Sequence, residues 1–131
     1  PEARKRCIER WAQMAQDPTL TPRFRPSHLG LLCARGLIPV ANEIRAMLVV
    51  GGIAPPDWPP SEEELQRIAS DLDVPIENLR QHVHEVYHLT PAEQARVLPF
   101  VQRIADIFAH IAKERYDLFG RLQRIAQISQ L

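Results

Sequence analysis

Ser27-His28-Leu29-Gly30-Leu31-Leu32-Cys33-Ala34-Arg35-Gly36-Leu37-Ile38-Pro39-Val40-Ala41-Asn42-Glu43-Ile44-Arg45-Ala46-Met47-Leu48-Val49-Val50-Gly51-Gly52 is the stretch on which the fold turns. Ser27 carries a side-chain acceptor suited to cap a helix over His28 to Arg35, and Gly36 stands where a helix takes its C-terminal glycine. After Leu37-Ile38, Pro39 suits a helix first turn. Val40 to Val50 is therefore predicted as a second helix with Ile44, Met47 and Leu48 inward, stopped by Gly51-Gly52. On this reading the stretch is a pair of short helices joined by a three-residue turn.

Working outward, helix signals continue on both sides. Glu2 to Gln16 places Cys7, Ile8, Trp11, Met14 and Ala15 at three- and four-residue spacing, the mark of one apolar helix face. Asp17-Pro18-Thr19-Leu20-Thr21-Pro22 breaks that helix. Ile53-Ala54-Pro55-Pro56-Asp57-Trp58-Pro59-Pro60 is a stiff proline-rich connector. Ser61-Glu62-Glu63-Glu64 then opens a helix through Leu72, with acids in its first turn. Asp73-Val74-Pro75 turns the chain, and Ile76 to His88 is predicted as the next helix. Thr90-Pro91-Ala92-Glu93 is a second capping box with proline at the first helical position. Helix follows nearly to the end, with a kink or restart expected at Pro99. No convincing strand, internal repeat or low-complexity tail is present. The expected fold class is all-α, with a helical domain over residues 1–90 and a C-terminal helical docking or dimerisation segment over 91–131.

With 131 residues, 45% of them apolar, the chain can bury a core. No apolar run approaches the roughly 18 residues that span a bilayer. The basic start Arg4-Lys5-Arg6 is not followed by a secretory-type hydrophobic segment. Cys7 and Cys33 have neither metal spacing nor disulfide density, which points to a reducing compartment, and the expected location is the cytoplasm. The net charge of zero conceals a segregation. Residues 1–50 carry eight basic against four acidic side chains, residues 51–95 two against nine, and residues 96–131 six against three. A polyanion would meet the first or last third and be repelled by the middle.

Residues 26–90 resemble the Xre-type, lambda-repressor-like helix-turn-helix family. Ser27 to Leu37 resembles its second helix and turn glycine, Ala41 to Leu48 its third helix, and Pro60 to Leu79 its fourth and fifth. The resemblance implies a compact five-helix bundle and a sequence-specific, non-catalytic regulator that binds double-stranded DNA. Carried over by position, it sets Asn42 and Arg45 at base edges and Arg23, Arg25 and Arg35 on phosphates. The basic first third agrees in charge. The family's polar opening of the third helix is absent here, and Pro39-Val40-Ala41 stands in its place. A second frame, with the reading helix inside Glu64 to His84, falls in the acidic segment and is rejected on charge.

His84-Glu85-Val86-Tyr87-His88 matches the zinc metallopeptidase pattern. On a helix, His84 and His88 would share a face and ligate Zn²⁺, with Glu85 beside them as general base. His110 and Glu114 stand at the right separation in sequence for a third ligand, but both fall on the long final helix. A catalytic site also needs a sheet edge for substrate, and no strand is available. The zinc enzyme therefore ranks third among the functions, and no cofactor is expected on the first reading.

From Val101 a heptad frame puts Val101, Phe108, Arg115, Leu122 and Ser129 at one core position. Ile104, Ile111, Leu118 and Ile125 fill the other. The expectation is that Val101 to Ile111 docks on the domain and that the outer part forms a homodimer through Leu118, Phe119, Leu122 and Ile125. The first functional expectation is thus a dimeric DNA-binding regulator. The alternative is a helical protein-interaction module or adaptor that does not touch DNA.

Overall fold

The computed structural model describes residues 2–19, 21–27 and 29–130, apart from the side chain of Arg45. In place of an all-α bundle it shows an α+β domain built on a mixed sheet. Helix α1 (Glu2–Gln16) comes first, followed by strands β1 (Arg25–Pro26), β2 (Leu32–Val40) and β3 (Glu43–Ala54). Helices α2 (Glu62–Leu72) and α3 (Ile76–His82) follow. A single 3-10 turn over Val83–Glu85 leads into the short strand β4 (Tyr87–His88), and helix α4 (Pro91–Ser129) completes the described chain. The sheet order is β1-β2-β3-β4, antiparallel except for the parallel pair β3 and β4.

The stretch Ser27 to Gly52 is thus mainly a β-hairpin. His28, the start of the first expected helix, lies outside the described residues, but Leu32 to Val40 is extended. The second expected helix, Val40 to Val50, is replaced by a turn and most of β3. Val40 pairs with Glu43 across Ala41-Asn42, and both turn residues have positive φ, 52° and 64°. Those angles are the two-residue type I′ geometry, whose twist matches that of antiparallel strands. Pro39 sits at a register shift beside Ile38, where a missing N–H interrupts the ladder least. Gly51 continues β3 opposite Cys33 and does not end a helix. A side chain at Gly51 would run into the Cys33 Sγ, which would have to turn aside to admit it.

The two faces of this hairpin differ. Gly36 faces α4: a Cβ there would lie 2.8 Å from the Ala105 Cβ and 3.0 Å from the Val101 carbonyl oxygen. By alternation and register, Ala34, Leu48 and Val50 share that face. Small residues on both elements bring helix and sheet backbone close. Val101 and Ala105 are essentially inaccessible, at 2% and 0% exposure. The opposite face carries Cys33, Arg35, Met47 and Val49 and looks toward α1.

At one end of the sheet a helical cluster closes the core. Leu65, Ile68 and Ala69 of α2 are buried there, as is Val83. Ser61 caps α2 by accepting the Glu64 N–H, and the chain leaves the helix through Asp73 in the left-handed region. The expected helix Ile76 to His88 stops at His82. Trp58 Nε1–H donates to the Val83 carbonyl at 2.7 Å, occupying an acceptor that a continuing helix would give to Tyr87. Tyr87 and His88 pair instead with Ile53 and Ala54.

Thr90 forms the complete capping box with Glu93. From there α4 runs 39 residues, roughly 58 Å at 1.5 Å per residue. Pro99 lies inside it without ending it, so the expected restart does not occur. No described helix is long and apolar enough to cross a membrane.

Candidate functional site

Between α1 and the sheet lies an open pocket of about 570 Å³. Its helix wall is one face of α1, with Cys7, Trp11 and Met14 at helical spacing and Arg10 beside them. Its floor is Cys33, Met47 and Val49, with Gly51 and Gly52 behind them, and Leu29 and Leu31 form a side. Both cysteines and both methionines of the chain therefore border one cavity. Thioethers are polarizable and conformationally adaptable, so such a wall can shape itself to an apolar guest. Trp11 is still 43% exposed over this pocket, so the cavity is not filled by the chain's own side chains.

The residues Leu29 and Leu31 also border a smaller apolar cavity of about 190 Å³ against Trp58, Leu65 and Val83. The larger cavity has a polar edge. Arg10 Nη2 donates to the Pro26 carbonyl at 2.8 Å and Nη1 to Gln13 Oε1 at 3.2 Å, which ties α1 to β1. The Arg10 Nε is buried and has no hydrogen-bond partner.

Beside this pocket an ion-pair cluster anchors the end of α1. Arg25 Nη1 lies 2.6 Å from Asp17 Oδ2. Arg35, 7% exposed, donates from Nη2 to the Asp17 carbonyl at 2.6 Å and lies 3.7 Å from its carboxylate. Hydrogen bonds from the Thr19 side chain and backbone N–H, then from Arg25, hold the Asp17 carboxyl far below the usual carboxylate range.

These positions recast the DNA-contact set. Asn42 stands in the hairpin turn and Arg45 in β3, so no reading helix carries them; the Arg45 side chain lies outside the described residues. Arg25 and Arg35 pair with Asp17, Arg25 partly exposed and Arg35 buried, and Arg23 is exposed in the segment before β1. His84 and His88 do not share a helical face: His84 is in the 3-10 turn and His88 in β4, both exposed. Glu85 accepts instead from His82, whose Nδ1 is 3.0 Å from Glu85 Oε2. Among the described residues, no three His, Cys, Asp or Glu side chains come together to hold a metal. On α4, Leu118, Phe119, Leu122 and Ile125 are all more than half exposed.

Sequence reasoning missed the pocket residues as a group. The face Cys7-Trp11-Met14 is legible as one apolar side of a helix, but nothing in its spacing says that it borders a cavity. Met47 and Val49 were hidden because the alternation of β3 is masked by apolar residues on both of its faces.

A sheet sealed on one side by a long helix and held open on the other, over a pocket, defines an α+β pocket domain and not a helix-turn-helix bundle. The family model described as "Sensory domain found in PocR" matches residues 1–113. The chain belongs to this family of sensory domains. That membership overturns both the Xre-type resemblance and the DNA-reading function it implied. No curated protein and no solved structure matches the chain.

Proposed function

We propose that this domain is a small-molecule sensor whose ligand sits between α1 and the sheet. The observation that carries the reading is the contrast between the two sheet faces. One is packed until even a methyl on Gly36 would clash, while the other leaves about 570 Å³ bordered by apolar and sulfur side chains. A volume of that size is within the range of sites for small ligands. The family's description as a sensory domain supports the same reading.

The test is a thermal-shift screen of small molecules on the full chain, compared with Val49→Trp. Val49 lies on the pocket floor, so the indole fills the cavity without touching α4. Compounds that raise the Tm of the wild type should have no effect on the folded variant. If no compound acts on the wild type and Val49→Trp raises its Tm, the cavity is a packing defect and the sensor reading fails.

The outer part of α4 suits a homodimer contact, the output side of such a sensor. The family match ends at residue 113, and beyond it Leu118, Leu122, Ile125 and Ile128 are exposed by 55–69%. Leu118, Leu122 and Ile125 keep the heptad period at which two α-helices stay in register, with Ile128 beside the seam, which favours a second copy of the same helix. Truncation after Ala112 should leave a folded monomer by sedimentation; a truncated dimer would place the contact elsewhere.

A further inference from the structure

We infer that the ligand carries a carboxylate on an apolar body and that Arg10 is the residue that reads it; this rests on the sensor assignment above. Arg10 lies on the pocket wall, and among the described residues no acidic side chain borders that pocket. Its present hydrogen bonds go to neutral acceptors, the Pro26 carbonyl and the Gln13 side-chain amide. No described carboxylate forms an ion pair with it, although Arg6, Arg25, Arg35, Arg67 and Arg80 each have one. The nearby Glu2 is taken by Arg6 at 3.2 Å. These two bonds use two of its five N–H groups, and of the others the buried Nε–H has nothing to donate to. An unmet buried donor costs about 1–3 kcal/mol, and more on a charged group, so a site that retains one is prepared for an acceptor.

The chemistry of the missing acceptor follows from the fork. Nε and Nη2 lie on the same edge of the guanidinium, the geometry that meets both oxygens of a carboxylate once the side chain turns from the Pro26 carbonyl toward the pocket. An alcohol or amide oxygen would satisfy only part of it. A phosphate dianion would call for a second cation, and among the described residues Arg10 is the sole one on the pocket border. Met14, Met47 and Val49 offer no hydrogen bonds, and the other polar side-chain groups on the border are the Trp11 indole N–H, the Ser27 hydroxyl and the two thiols, so the remainder of the ligand is mainly apolar. Arg10 also borders an outer groove lined by Glu2, Arg6, Glu9 and Gln13, whose two acids disfavour an anion on that side. The carboxylate would therefore lie on the pocket side of Arg10, with the apolar body beneath Trp11.

The experiment is calorimetric titration of the full chain with two pairs of near-isosteric probes, phenylacetate against phenylacetamide and hexanoate against hexanol. At least one carboxylate should bind tenfold or more tightly than its neutral partner. Arg10→Gln should erase that preference, while Arg10→Lys keeps its sign with weaker binding. Circular dichroism checks that the variants are folded, and if Arg10→Gln is not, Arg10→Lys decides. A neutral probe binding as tightly as its carboxylate, or a carboxylate affinity unchanged in the folded Arg10 variants, overturns the role of Arg10 and leaves the pocket as the ligand site. No binding by either carboxylate up to about 10 mM overturns the carboxylate inference. The sensor reading then stands or falls on the Val49→Trp screen.

Discussion

Gly36→Ala is the substitution that most directly tests how the sheet meets α4. At a strand glycine whose angles suit any residue, adding a methyl normally stabilises by about 0.4–1 kcal/mol, because the unfolded chain loses freedom. At Gly36 the sign should reverse. The new Cβ would sit 2.8 Å from the Ala105 Cβ and 3.0 Å from the Val101 carbonyl oxygen, and the second of these is helix backbone that no rotamer change can move. Inserting a methylene-sized group into a packed core costs about 1–3 kcal/mol, so the net loss should be about 1–2 kcal/mol. With an unfolding entropy near 2.1 cal/mol/K per residue, a chain of this length loses roughly 3–4 °C of Tm per kcal/mol. Differential scanning calorimetry should then show a drop of roughly 4–7 °C. Ala105→Gly alone also destabilises, through helix propensity and a lost methyl, by about 1–2 kcal/mol. Combined with Gly36→Ala it removes the nearer of the two contacts, so the double variant should lose less than the sum of the singles. A Gly36→Ala protein with unchanged or raised Tm, or a strictly additive cycle, would refute the close docking of α4 on β2.

Three further outcomes are expected. Ala41→Gly should stabilise the hairpin by about 0.5–1 kcal/mol, because a non-glycine residue in the left-handed region costs roughly 1–2 kcal/mol and glycine returns part of that as chain entropy; urea unfolding reads it, and a loss would mean that the turn is not the type I′ seen here. Asp17→Asn should lower stability at neutral pH. Because the folded Asp17 pKa is depressed, the carboxylate's contribution is fully present above the unfolded value near 3.9 and disappears as pH falls toward the folded one. The Tm gap between wild type and Asp17→Asn should therefore narrow below about pH 4, and a gap constant from pH 7 to pH 2 would exclude this linkage. Leu118→Asp with Ile125→Asp should give a monomer by mass photometry with the domain's Tm kept, since both side chains are more than half exposed; an unchanged dimer would free these residues of any role in association.

What could be read from the sequence was set by how local the controlling physics is. Capping needs only a few adjacent residues, so Ser61 before α2 and Thr90 with Glu93 before α4 were legible. The face of α1 likewise follows from spacing within one helix. The hairpin depends on partners up to about twenty residues apart, and each of its local signals pointed elsewhere. Its turn is Ala41-Asn42, without the glycine that usually marks a type I′ turn. Pro39 looked like a helix start but stands at a bulge, and Gly51-Gly52 looked like a helix stop but lies within β3. Because β3 is covered on both faces, Met47-Leu48-Val49-Val50 lacks the apolar–polar alternation of a half-exposed strand. The end of α3 was likewise set at a distance, by the Trp58 indole reaching the Val83 carbonyl.

The same two-sided hairpin places the pocket and the long helix on opposite faces of one sheet. Met47 and Val49 point into the cavity, while the alternating Leu48 and Val50 point to α4, so the two sites are separated by the thickness of one strand. Their mechanical character is opposite. On the α4 side, backbone meets side chain with no slack, and a close-packed contact of this kind transmits displacement instead of absorbing it. On the other side α1 is tied by the Arg10 bond to Pro26 and by Arg6 beside Asp71 at 3.4 Å, with the open pocket between. A guest that occupies the pocket therefore meets one compliant wall and one stiff one. Closure of α1 can increase contact with the guest, but pressure on Met47 or Val49 bears on a floor already seated against α4. For a sensor with its output on α4, this is the useful arrangement: the soft wall accommodates the ligand, and the stiff floor carries the consequence to Val101 and Ala105, from which the rest of the helix extends.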